Sequence, residues 1–381
     1  MRKIVLLIFF ISTYWNVHSN TNPVISEPEI LIPSPYLPDN ITCNTSNNNV
    51  DIVKFKDRYY VAWRSARFHF PDKKSVMYMI SSEDFIHWKF EHSFKTGADL
   101  REPRFMVFND QLFFYCFEGA KTMYSFNPQH VWISTEKNGK WEDKIAPGLD
   151  GFVPWRFKLH NGQPLLSAYW GKNLYGAHQA QLRFFTSTDG INWKPISEKP
   201  QISITGSEEG EFEFDKNGNM WCIVRLEGEG AMLCYADKDS LDTWHMYHTR
   251  KKYDSSCMFR NGDDIYLVAR RNRGGNADKT PHWFPEGIKR TVNLTSYSFT
   301  PKTTALYKLN AEAKDFDWMM DLPGCGDNAF PAIVPINENS YYLLNYTNDL
   351  SNPDITWFSG QFQHTFIYYL TITFPGNGSL D

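Results

Sequence analysis

Three arginines occupy the same position in a pattern that the chain repeats six times. Each copy consists of an apolar run, a polar turn and a second apolar run, as in RFMVFNDQLFFYCFE and EFEFDKNGNMWCIVR. If the copies converge on one point, Arg64, Arg225 and Arg270 would face a common volume. A guanidinium donates two parallel, charge-assisted hydrogen bonds to a carboxylate, so this arrangement predicts a site for an anionic or densely hydroxylated ligand. The equivalent positions in the six copies are Arg64, Glu118, Trp170, Arg225, Arg270 and Tyr346.

Carboxylates stand near the starts of the same runs, where the loops of a rigid scaffold usually carry a site. Asp51, Glu209 and Asp327 could supply the acid and the base that cleavage of a glycosidic bond requires. They could equally pair with the arginines and only seal the centre of the fold, because crowded unpaired charges cost free energy. Both interpretations stay open. Further polar candidates at these strand ends are His69, Glu102, Arg104, Trp155 and Arg156.

The repeats predict an all-β fold. Asn-Gly or Asn-Asp between two alternating runs is a strong hairpin signal, and six hairpin patterns occur along the chain. A second motif, S-x-D-x-I-x-W, occurs at 82–88 and 187–193, and we expect its Ser, Asp and Trp to hold a turn. Successive tryptophans of this motif and its looser copies lie 53, 52 and 51 residues apart, the length of one four-stranded blade. The tryptophans that define these intervals are Trp88, Trp141, Trp193 and Trp244. We therefore predict a six-bladed β-propeller.

Two interruptions of the repeat define the remaining segments. The interval from Trp244 to Trp318 is 74 residues, which predicts an insertion, and the Gly, Pro and His-rich run 274–287 indicates a long loop there. No helical periodicity of useful length competes with the strand pattern. We predict an irregular segment over residues 20–46 and a propeller domain over residues 47–381.

The first 19 residues have the features of a signal peptide, with a basic start, a short apolar stretch and a small-residue end at Ser19. No later segment approaches the roughly 20 apolar residues of a membrane helix. The protein is therefore expected to be secreted or periplasmic. Its six cysteines would be free to oxidise there, and Cys222 with Cys234, expected on neighbouring strands of one blade, is the candidate disulfide pair.

Composition narrows the class of partner. Charged residues make up 22% of the chain and the net charge is −4, without an acidic or basic block, which argues against nucleic acid and against a polybasic membrane contact. A glycan or small carbohydrate fits better, because some of the aromatic side chains, 16% of all residues, could stack on sugar rings. The Asp, Glu and His residues show no ligand spacing, so we expect no metal and no other cofactor. The oligomeric state stays open.

Ordered motifs along nearly the whole chain resemble those of the sialidase superfamily, in particular the secreted bacterial exo-α-sialidase-like proteins. The segments are VDIVKFKDRYYVAWRSARFHF, LREPRF, FVPWRFKLHNG, EGEFEF, IVRLEG, YLVAR and GCGDNAFP, and S-x-D-x-I-x-W resembles the Asp box of that family. The resemblance implies a sialidase-like propeller. It also implies site positions at Asp51, Arg64, His69, Glu102, Arg104, Trp155, Arg156, Glu209, Arg225, Arg270 and Asp327.

The chain departs from that family at its nucleophile. Well-studied sialidases bind the substrate carboxylate with three arginines and use a tyrosine nucleophile activated by a glutamate, with an aspartate as acid and base. Here Asn328 or Phe330 stands where the tyrosine is expected, and neither can act as a nucleophile. Tyr346, on the partner strand, is the candidate to approach the centre. The first-blade arginine of the family is also missing, with Asp51 nearby instead.

The leading expectation is a secreted, exo-α-sialidase-like glycoside hydrolase that acts on terminal sugars of glycans, anionic ones included. In this hypothesis Glu209 works with Asp51 or Asp327 as acid and base. Two alternatives are a non-catalytic, lectin-like propeller and an exo-glycosidase that uses two carboxylates on a non-sialic sugar. The expected substrate-binding residues are Arg64, Arg225, Arg270, Arg104, Arg156, Trp155, Glu102, His69 and Tyr346.

Overall fold

The chain forms a ring of six antiparallel sheets, the six-bladed β-propeller that the repeats predict. The computed structural model describes residues 22–120, 127–170, 181–281 and 283–375. The first strand of each blade contacts the first strand of the next blade, and the sixth contacts the first, so these strands line the central axis.

Blades 1 to 5 each form from one continuous stretch of chain, with four strands in sequence order. Blade 1 contains β3 (Ser46–Phe55), β4 (Arg58–Ala66), β5 (Val76–Ser82) and β6 (Lys89–Phe94). Blade 2 contains β7 (Leu100–Phe108), β8 (Gln111–Glu118), β9 (Val131–Lys137) and β10 (Lys140–Ile145). Blade 3 contains β11 (Phe152–His160), β12 (Gln163–Trp170), β13 (Gln181–Thr186) and β14 (Lys194–Pro195). Blade 4 contains β15 (Ser207–Phe214), β16 (Met220–Leu226), β17 (Ala231–Ala236) and β18 (His245–Thr249), and blade 5 contains β19 (Asp254–Asn261), β20 (Asp264–Asn272), β21 (Lys302–Asn310) and β22 (Asp315–Leu322).

Blade 6 joins the two ends of the described chain. Its strands β23 (Ala329–Pro335), β24 (Ser340–Thr347) and β25 (Phe366–Thr373) are completed by β1 (Val24–Ile25) and β2 (Glu29–Ile32), which both pair with β25. The prediction of an irregular segment over residues 20–46 was therefore wrong for these two strands. Their short length and the prolines around them hide the strand pattern in the sequence. The predicted signal peptide, residues 1–19, lies outside the described residues.

Large aromatic side chains fill the space between neighbouring blades. Tyr115 of blade 2 stacks on Phe157 of blade 3 with ring centroids 4.2 Å apart. Phe85 of blade 1 stacks on Tyr342 of blade 6 at 4.0 Å, across the point where the ring closes. Burial of such rings supplies apolar area and preferred ring geometry together, so the aromatic content serves mainly to hold the blades in place.

The S-x-D-x-I-x-W motif forms the same turn in both copies. The Asp84 carboxylate accepts hydrogen bonds from the backbone N–H groups of Ile86 and His87, at 2.9 and 2.8 Å. Asp189 accepts the equivalent pair from Ile191 and Asn192, at 2.8 Å each. The turns lie between the third and fourth strands of their blades, far from the axis, so these carboxylates hold a turn.

The insertion in blade 5 contains a helix, α1 (Glu286–Ser298), which begins at the end of the predicted loop 274–287 and which the sequence did not predict. The side of the helix that faces the protein contains Asn293 and Tyr297, which are buried. The aliphatic residues Ile288 and Val292 lie on the other side and are exposed. Asn293 donates hydrogen bonds to the carbonyl of Gly228 and to Asp278. A helix that buries polar groups has no apolar stripe toward the core, which explains why periodicity missed it. A second, short helix, α2 (Trp357–Gly360), lies between β24 and β25 and contacts α1.

The expected disulfide is absent. Cys222 and Cys234 do lie directly opposite each other on β16 and β17, but both are free thiols and point toward different carbonyls, those of Ile223 and Met232. In the part of the chain that the structure describes, no helix is long and apolar enough to cross a membrane.

Candidate functional site

Bulges in the first strands build the site. Each first strand is interrupted by a β-bulge near its start. In five blades a non-glycine residue of the bulge has a positive φ, between 48° and 69°, and in all five its side chain lines one cavity on the axis. A bulge redirects a side chain, and a positive φ in a non-glycine residue costs about 1–2 kcal/mol, so this arrangement marks a functional site. The five residues are Asn49, Glu102, Glu209, Ser255 and Phe330.

The cavity is small, about 140 Å³, and its walls are charged. Six of the residues predicted from the sequence line it: His69, Glu102, Glu209, Arg225, Arg270 and Tyr346. The remaining lining residues are Asn49, Arg101, Tyr169, Glu208, Glu227, Ser255, Phe330, Trp357 and Gln361. The roof comes from the loop after β4, which carries His69, and from α2 with the residue that follows it.

Arg64 lies outside this cavity, contrary to the prediction. It is fully buried, and its Nε and Nη2 atoms donate to Asp99 at 3.1 and 2.7 Å, while Nη2 also donates to the carbonyl of Phe70. Its repeat position is equivalent to that of Arg225, but a carboxylate of blade 2 neutralises it. The plainer interpretation, an arginine that pairs with a neighbouring carboxylate, holds for this residue.

Arg225 lines the cavity but is surrounded by carboxylates. It donates to Glu209 at 2.7 Å and to Glu227, and its Nε lies 3.6 Å from Asp254. Glu209 accepts on its other oxygen from the backbone N–H of Ser255 at 2.6 Å. The two hydrogen bonds hold both oxygens of the Glu209 side chain at the cavity wall, and Arg225 has three carboxylates around it.

Arg270 has fewer negative partners than Arg225. Its Nε donates to the carbonyl of Asn328 at 2.8 Å, and its Nη1 lies 3.8 Å from the buried carboxylate of Asp254. The guanidinium lies over the ring of Trp357, 5.4 Å from its centroid. Asp254 therefore lies between Arg225 and Arg270, and Lys252 lies 3.7 Å from the same carboxylate, so one negative charge is shared among three cations.

His69, Asp327 and Tyr346 form a connected group. His69 Nδ1 lies 2.7 Å from Asp327 Oδ2, and the Tyr346 hydroxyl donates to Asp327 Oδ1 at 3.0 Å. The side-chain amide of Asn48 also contacts this nitrogen, with Nδ2 and Nδ1 3.3 Å apart. A proton on Nδ1 would be shared with the Asp327 carboxylate and would leave Nε2 as the basic nitrogen. Burial lowers the pKa of His69 below its ordinary value although Asp327 opposes this effect, and the ring is neutral at pH 7. Asp327 itself is buried and does not line the cavity.

Two glutamates in the cavity hold their protons unusually strongly. Burial raises the pKa of Glu102 to about 7, and the nearby Glu209 carboxylate adds to the rise while Arg104 opposes it. Glu102 Oε2 accepts a hydrogen bond from Asn49 at 3.0 Å. Burial also raises the pKa of Glu208, with further contributions from Glu227 and Glu209. The cavity therefore combines a protonated carboxyl with an ionised one, the arrangement that separates an acid from a base.

Asp51, Arg104 and Arg156 lie below the cavity, which corrects three predictions. They line a larger space of about 700 Å³ that opens at the other end of the axis. Asp51 accepts from the backbone N–H of Phe105 at 2.7 Å, and Arg156 donates to Glu211 at 2.8 Å. Asp51 is thus excluded as a partner of Glu209 in acid and base chemistry in the cavity.

Arg104 and Trp155 form the floor between the two spaces. The Arg104 guanidinium lies 4.3 Å from the ring centroid of Phe330 and 5.0 Å from that of Trp155, and it donates to the Trp155 carbonyl. Its Nη2 lies 4.0 Å from Glu102 Oε2. Burial lowers the pKa of Arg104 to about 10, which still leaves the group charged at pH 7. Neither residue lines the cavity, so their role is to support Glu102 and Phe330 from below.

No residue at the expected place of the tyrosine nucleophile can serve as one. Asn328 is buried and bonded to Thr304 and to the carbonyl of Gly326, while Phe330 lines the cavity with an apolar ring. Two tyrosines do reach the cavity, Tyr169 and Tyr346. Burial raises the pKa of both hydroxyls well above the ordinary value, and nearby carboxylates add to the rise, so neither is activated.

Several lining residues were missing from the predicted site. Asn49, Ser255 and Phe330 occupy the same bulge position as Glu102 and Glu209, so an alignment of the six repeats on those two glutamates could have found them. Trp357 and Gln361 come from the β24–β25 connection, where the repeat gives no signal. Among the residues that the structure describes, no group of three or more His, Cys, Asp or Glu could hold a metal ion.

Solved structures with the same fold include sialidases. A protein of unknown function from Dyadobacter fermentans DSM 18053 is 14% identical, with a TM-score of 0.61, over 87% of this chain and 95% of that one. Trypanosoma rangeli sialidase is 12% identical, with a TM-score of 0.59, over 86% of this chain and 55% of that one, so the chain spans about half its length. The phage phi92 endosialidase is 10% identical, with a TM-score of 0.60, over 90% and 70%. These likenesses show a sialidase-like fold; no protein-family model and no curated protein matches the chain.

Proposed function

We propose that this sialidase-like propeller is a glycoside hydrolase that releases one terminal, neutral sugar from a glycan. The observation that carries the proposal is the pairing, within one cavity, of a carboxyl whose pKa is raised to about 7 with a neutral imidazole oriented by a carboxylate, Glu102 with His69. Hydrolysis of a glycosidic bond needs an acid for the leaving oxygen and a base for water.

The compensated arginines favour a neutral sugar. Arg64 is bonded to Asp99 outside the cavity and Arg225 is bonded to Glu209 and Glu227, so two of the three arginines are already paired with carboxylates. The wall also contains Glu209 and Glu227. An anionic sugar would meet these carboxylates at close range, whereas hydroxyl groups can accept from the arginines and donate to the glutamates.

Glu102 is the proposed general acid. Its Oε2 accepts from Asn49, which leaves Oε1 to carry the proton. As the glycosidic C–O bond breaks, this proton passes to the leaving oxygen, and Glu102 becomes a carboxylate next to Arg104. A pKa of about 7 keeps a large fraction protonated at neutral pH and still permits transfer.

His69 is the proposed general base. We assign the proton to Nδ1 because this atom lies 2.7 Å from the Asp327 carboxylate, and Nε2 can then accept a proton from water while the water oxygen bonds to the anomeric carbon. The resulting imidazolium is stabilised by the Asp327 carboxylate and later loses the proton to solvent. Asp327 therefore acts as a positioning residue, which differs from the direct role expected from the sequence.

Glu209 supplies the fixed negative charge. Arg225 and the N–H of Ser255 hold both of its oxygens, which fixes the orientation of the carboxylate. A carboxylate at this wall stabilises the positive charge that develops on the sugar ring as the bond breaks. The cavity volume of about 140 Å³, well below the roughly 300–1,000 Å³ of pockets for larger ligands, suits a single sugar ring.

The test is release of nitrophenol from a panel of nitrophenyl monosaccharides, neutral sugars and a sialoside together. We expect turnover of one or more neutral glycosides, and a loss of at least about 100-fold in Glu102→Gln and in His69→Ala. Glu118→Gln is the matched control, because Glu118 occupies the repeat position of Arg225 but bonds to Trp132 away from the cavity. Turnover of the sialoside alone would overturn the choice of a neutral sugar.

Absence of turnover, combined with glycan binding that Arg225→Ala abolishes, would overturn hydrolysis in favour of a lectin-like propeller. We also propose that the protein is exported, since residues 1–19 have the features of a signal peptide. Cleavage after Ser19 would leave β1 intact, because that strand begins at Val24. The N-terminal sequence of the protein recovered from the medium or periplasm tests this.

A further inference from the structure

We propose that four phenylalanines beside the cavity mouth bind the part of the glycan that follows the terminal sugar. We call them the phenylalanine ridge: Phe70, Phe362, Phe358 and Phe299. The proposal rests on the proposed function and adds a binding site for the neutral sugar rings on the leaving-group side.

The ridge is a continuous row of ring contacts. Phe70 lies 5.1 Å from Phe362, Phe362 lies 5.4 Å from Phe358, and Phe358 lies 5.3 Å from Phe299, measured between ring centroids. Three of the four side chains are strongly exposed, with 52% for Phe362, 40% for Phe358 and 58% for Phe299. The row joins three separate segments: the loop after β4, α2 with its C-terminal flank, and the residue after α1.

The ridge lies next to the roof of the cavity, and we take this side as its mouth. Phe70, Phe358 and Phe362 directly follow the cavity-lining residues His69, Trp357 and Gln361 in the chain. The backbone N–H of His69 donates to the carbonyl of Gln361 at 3.2 Å, which fixes the loop after β4 to the end of α2. Since the cavity suits one ring, we place the remainder of a longer glycan on this side of the cavity, across these rings.

Exposed rings in contact with one another mark a binding surface more strongly than scattered apolar residues do. The face of an aromatic ring carries partial negative charge, which attracts the polarised C–H groups on the apolar face of a pyranose, while the sugar hydroxyls stay in water. A row of single rings therefore suits a chain of sugar rings. The exposed aliphatic residues of α1, Ile288 and Val292, are not part of the row of ring contacts and serve as a control.

The experiment compares two substrates of the same terminal sugar, its nitrophenyl glycoside and a tetrasaccharide that ends in it. We expect Phe358→Ala/Phe362→Ala to lower kcat/KM for the tetrasaccharide about tenfold through a higher KM, with the nitrophenyl glycoside almost unaffected. The control Ile288→Thr/Val292→Thr should change neither value. Equal loss on both substrates, or no loss on either, would overturn the proposal. If the double alanine variant fails to fold, Phe358→Tyr/Phe362→Tyr should keep tetrasaccharide activity and Phe299→Ala should lower it.

A binding measurement separates this proposal from the proposed function. If no glycoside is hydrolysed, wild type and the double alanine variant are applied to an array of neutral oligosaccharides of two to six sugars. Binding that the variant loses supports the ridge even though hydrolysis fails, and equal or absent binding overturns it. Sedimentation with phosphatidylcholine vesicles that depends on Phe358 and Phe362 would instead assign the ridge to a lipid surface, and dimers that the variant loses would assign it to a second copy of the chain.

Discussion

The imidazole of His69 contacts the carboxylate of Asp327, with Nδ1 and Oδ2 2.7 Å apart. The second carboxylate oxygen accepts from the Tyr346 hydroxyl, so Asp327 is held from two sides. Asp327→Asn should therefore lower kcat by at least about 100-fold and leave KM almost unchanged, because the amide would no longer keep the proton on Nδ1. Steady-state kinetics check this, with Tyr346→Phe as the milder companion variant. A change confined to KM would contradict the positioning role.

The pH dependence of kcat/KM should be bell-shaped. Glu102 must be protonated to act as the acid, so activity falls as the pH rises above about 7, the raised pKa of this group. His69 must be neutral to act as the base, so activity also falls as the pH drops below its pKa, which burial holds under the ordinary value of 6.5. Initial rates between pH 4 and 9 check both limbs. A profile that keeps its upper limb in Glu102→Gln would remove Glu102 from the mechanism.

Glu102→Gln should stabilise the folded protein at pH 8 and not at pH 4.5. The pKa of Glu102 is about 7 in the folded state, against an ordinary value of 4.5, so folding favours the protonated form. Stability is therefore lost as the pH rises from 4.5 through 7, and the difference corresponds to about 3 kcal/mol at most. Urea unfolding of wild type and variant at the two pH values measures it. An equal effect at both pH values would show that the carboxyl charge is not the cause.

Arg64→Met should destabilise the protein without changing substrate affinity. The substitution removes two hydrogen bonds to the buried Asp99, which keeps its pair with Arg101, so we expect a loss of about 1.5–3 kcal/mol. Urea unfolding gives the loss, and KM of the folded fraction should match that of wild type. Arg58→Ala is the control, because Arg58 and Glu83 form an exposed pair of little energetic value. A raised KM at unchanged stability would restore Arg64 as a ligand-binding residue.

Ser255→Val and Ser255→Gly should separate backbone geometry from side-chain chemistry. Ser255 has a φ of 51°, and its backbone N–H donates to Glu209. A β-branched residue is strained at this φ, so the valine variant should lose about 1–2 kcal/mol or more and much of its activity. The glycine variant accepts the conformation and should match wild type in both. Equal stability of the two variants would show that the bulge is not strained.

The propeller and three residues of the cavity wall, Arg225, Arg270 and Tyr346, follow from repetition alone. In the strand register, Arg225 lies opposite Glu208 and Arg270 lies opposite Asp254, the residues just before the bulges of blades 4 and 5. Equivalent sequence positions therefore lie at the same level along the propeller axis. Arg64 lies opposite Asn48 at the same level, but its guanidinium forms an ion pair with Asp99 of the next blade and does not reach the cavity. The repeated sequence motif describes one blade at a time, so it does not predict a contact between two blades.

The bulges explain the other errors. Asp51 and Arg104 stand two residues beyond the bulge residues Asn49 and Glu102, and both fall below the cavity. The extra residue in each bulge resets which side chain faces the mouth, and neither hydrophobic alternation nor turn residues reveal where it is inserted. Helix α1 was missed for a related reason. Its buried side includes the polar Asn293, whereas the search for helical periodicity expects apolar residues on the buried side.

Closure of the ring by β1 and β2 sets an order of events during synthesis. These strands leave the ribosome before any other part of the propeller, yet their partner β25 ends at Thr373. At about 5–20 residues per second, they wait on the order of 20–70 s for that partner. Until then the growing chain is an open arc with unpaired strand edges, which are prone to association with other chains. The protein therefore acquires its ring, and with it the cavity on the axis, only once residues 366–373 have been made.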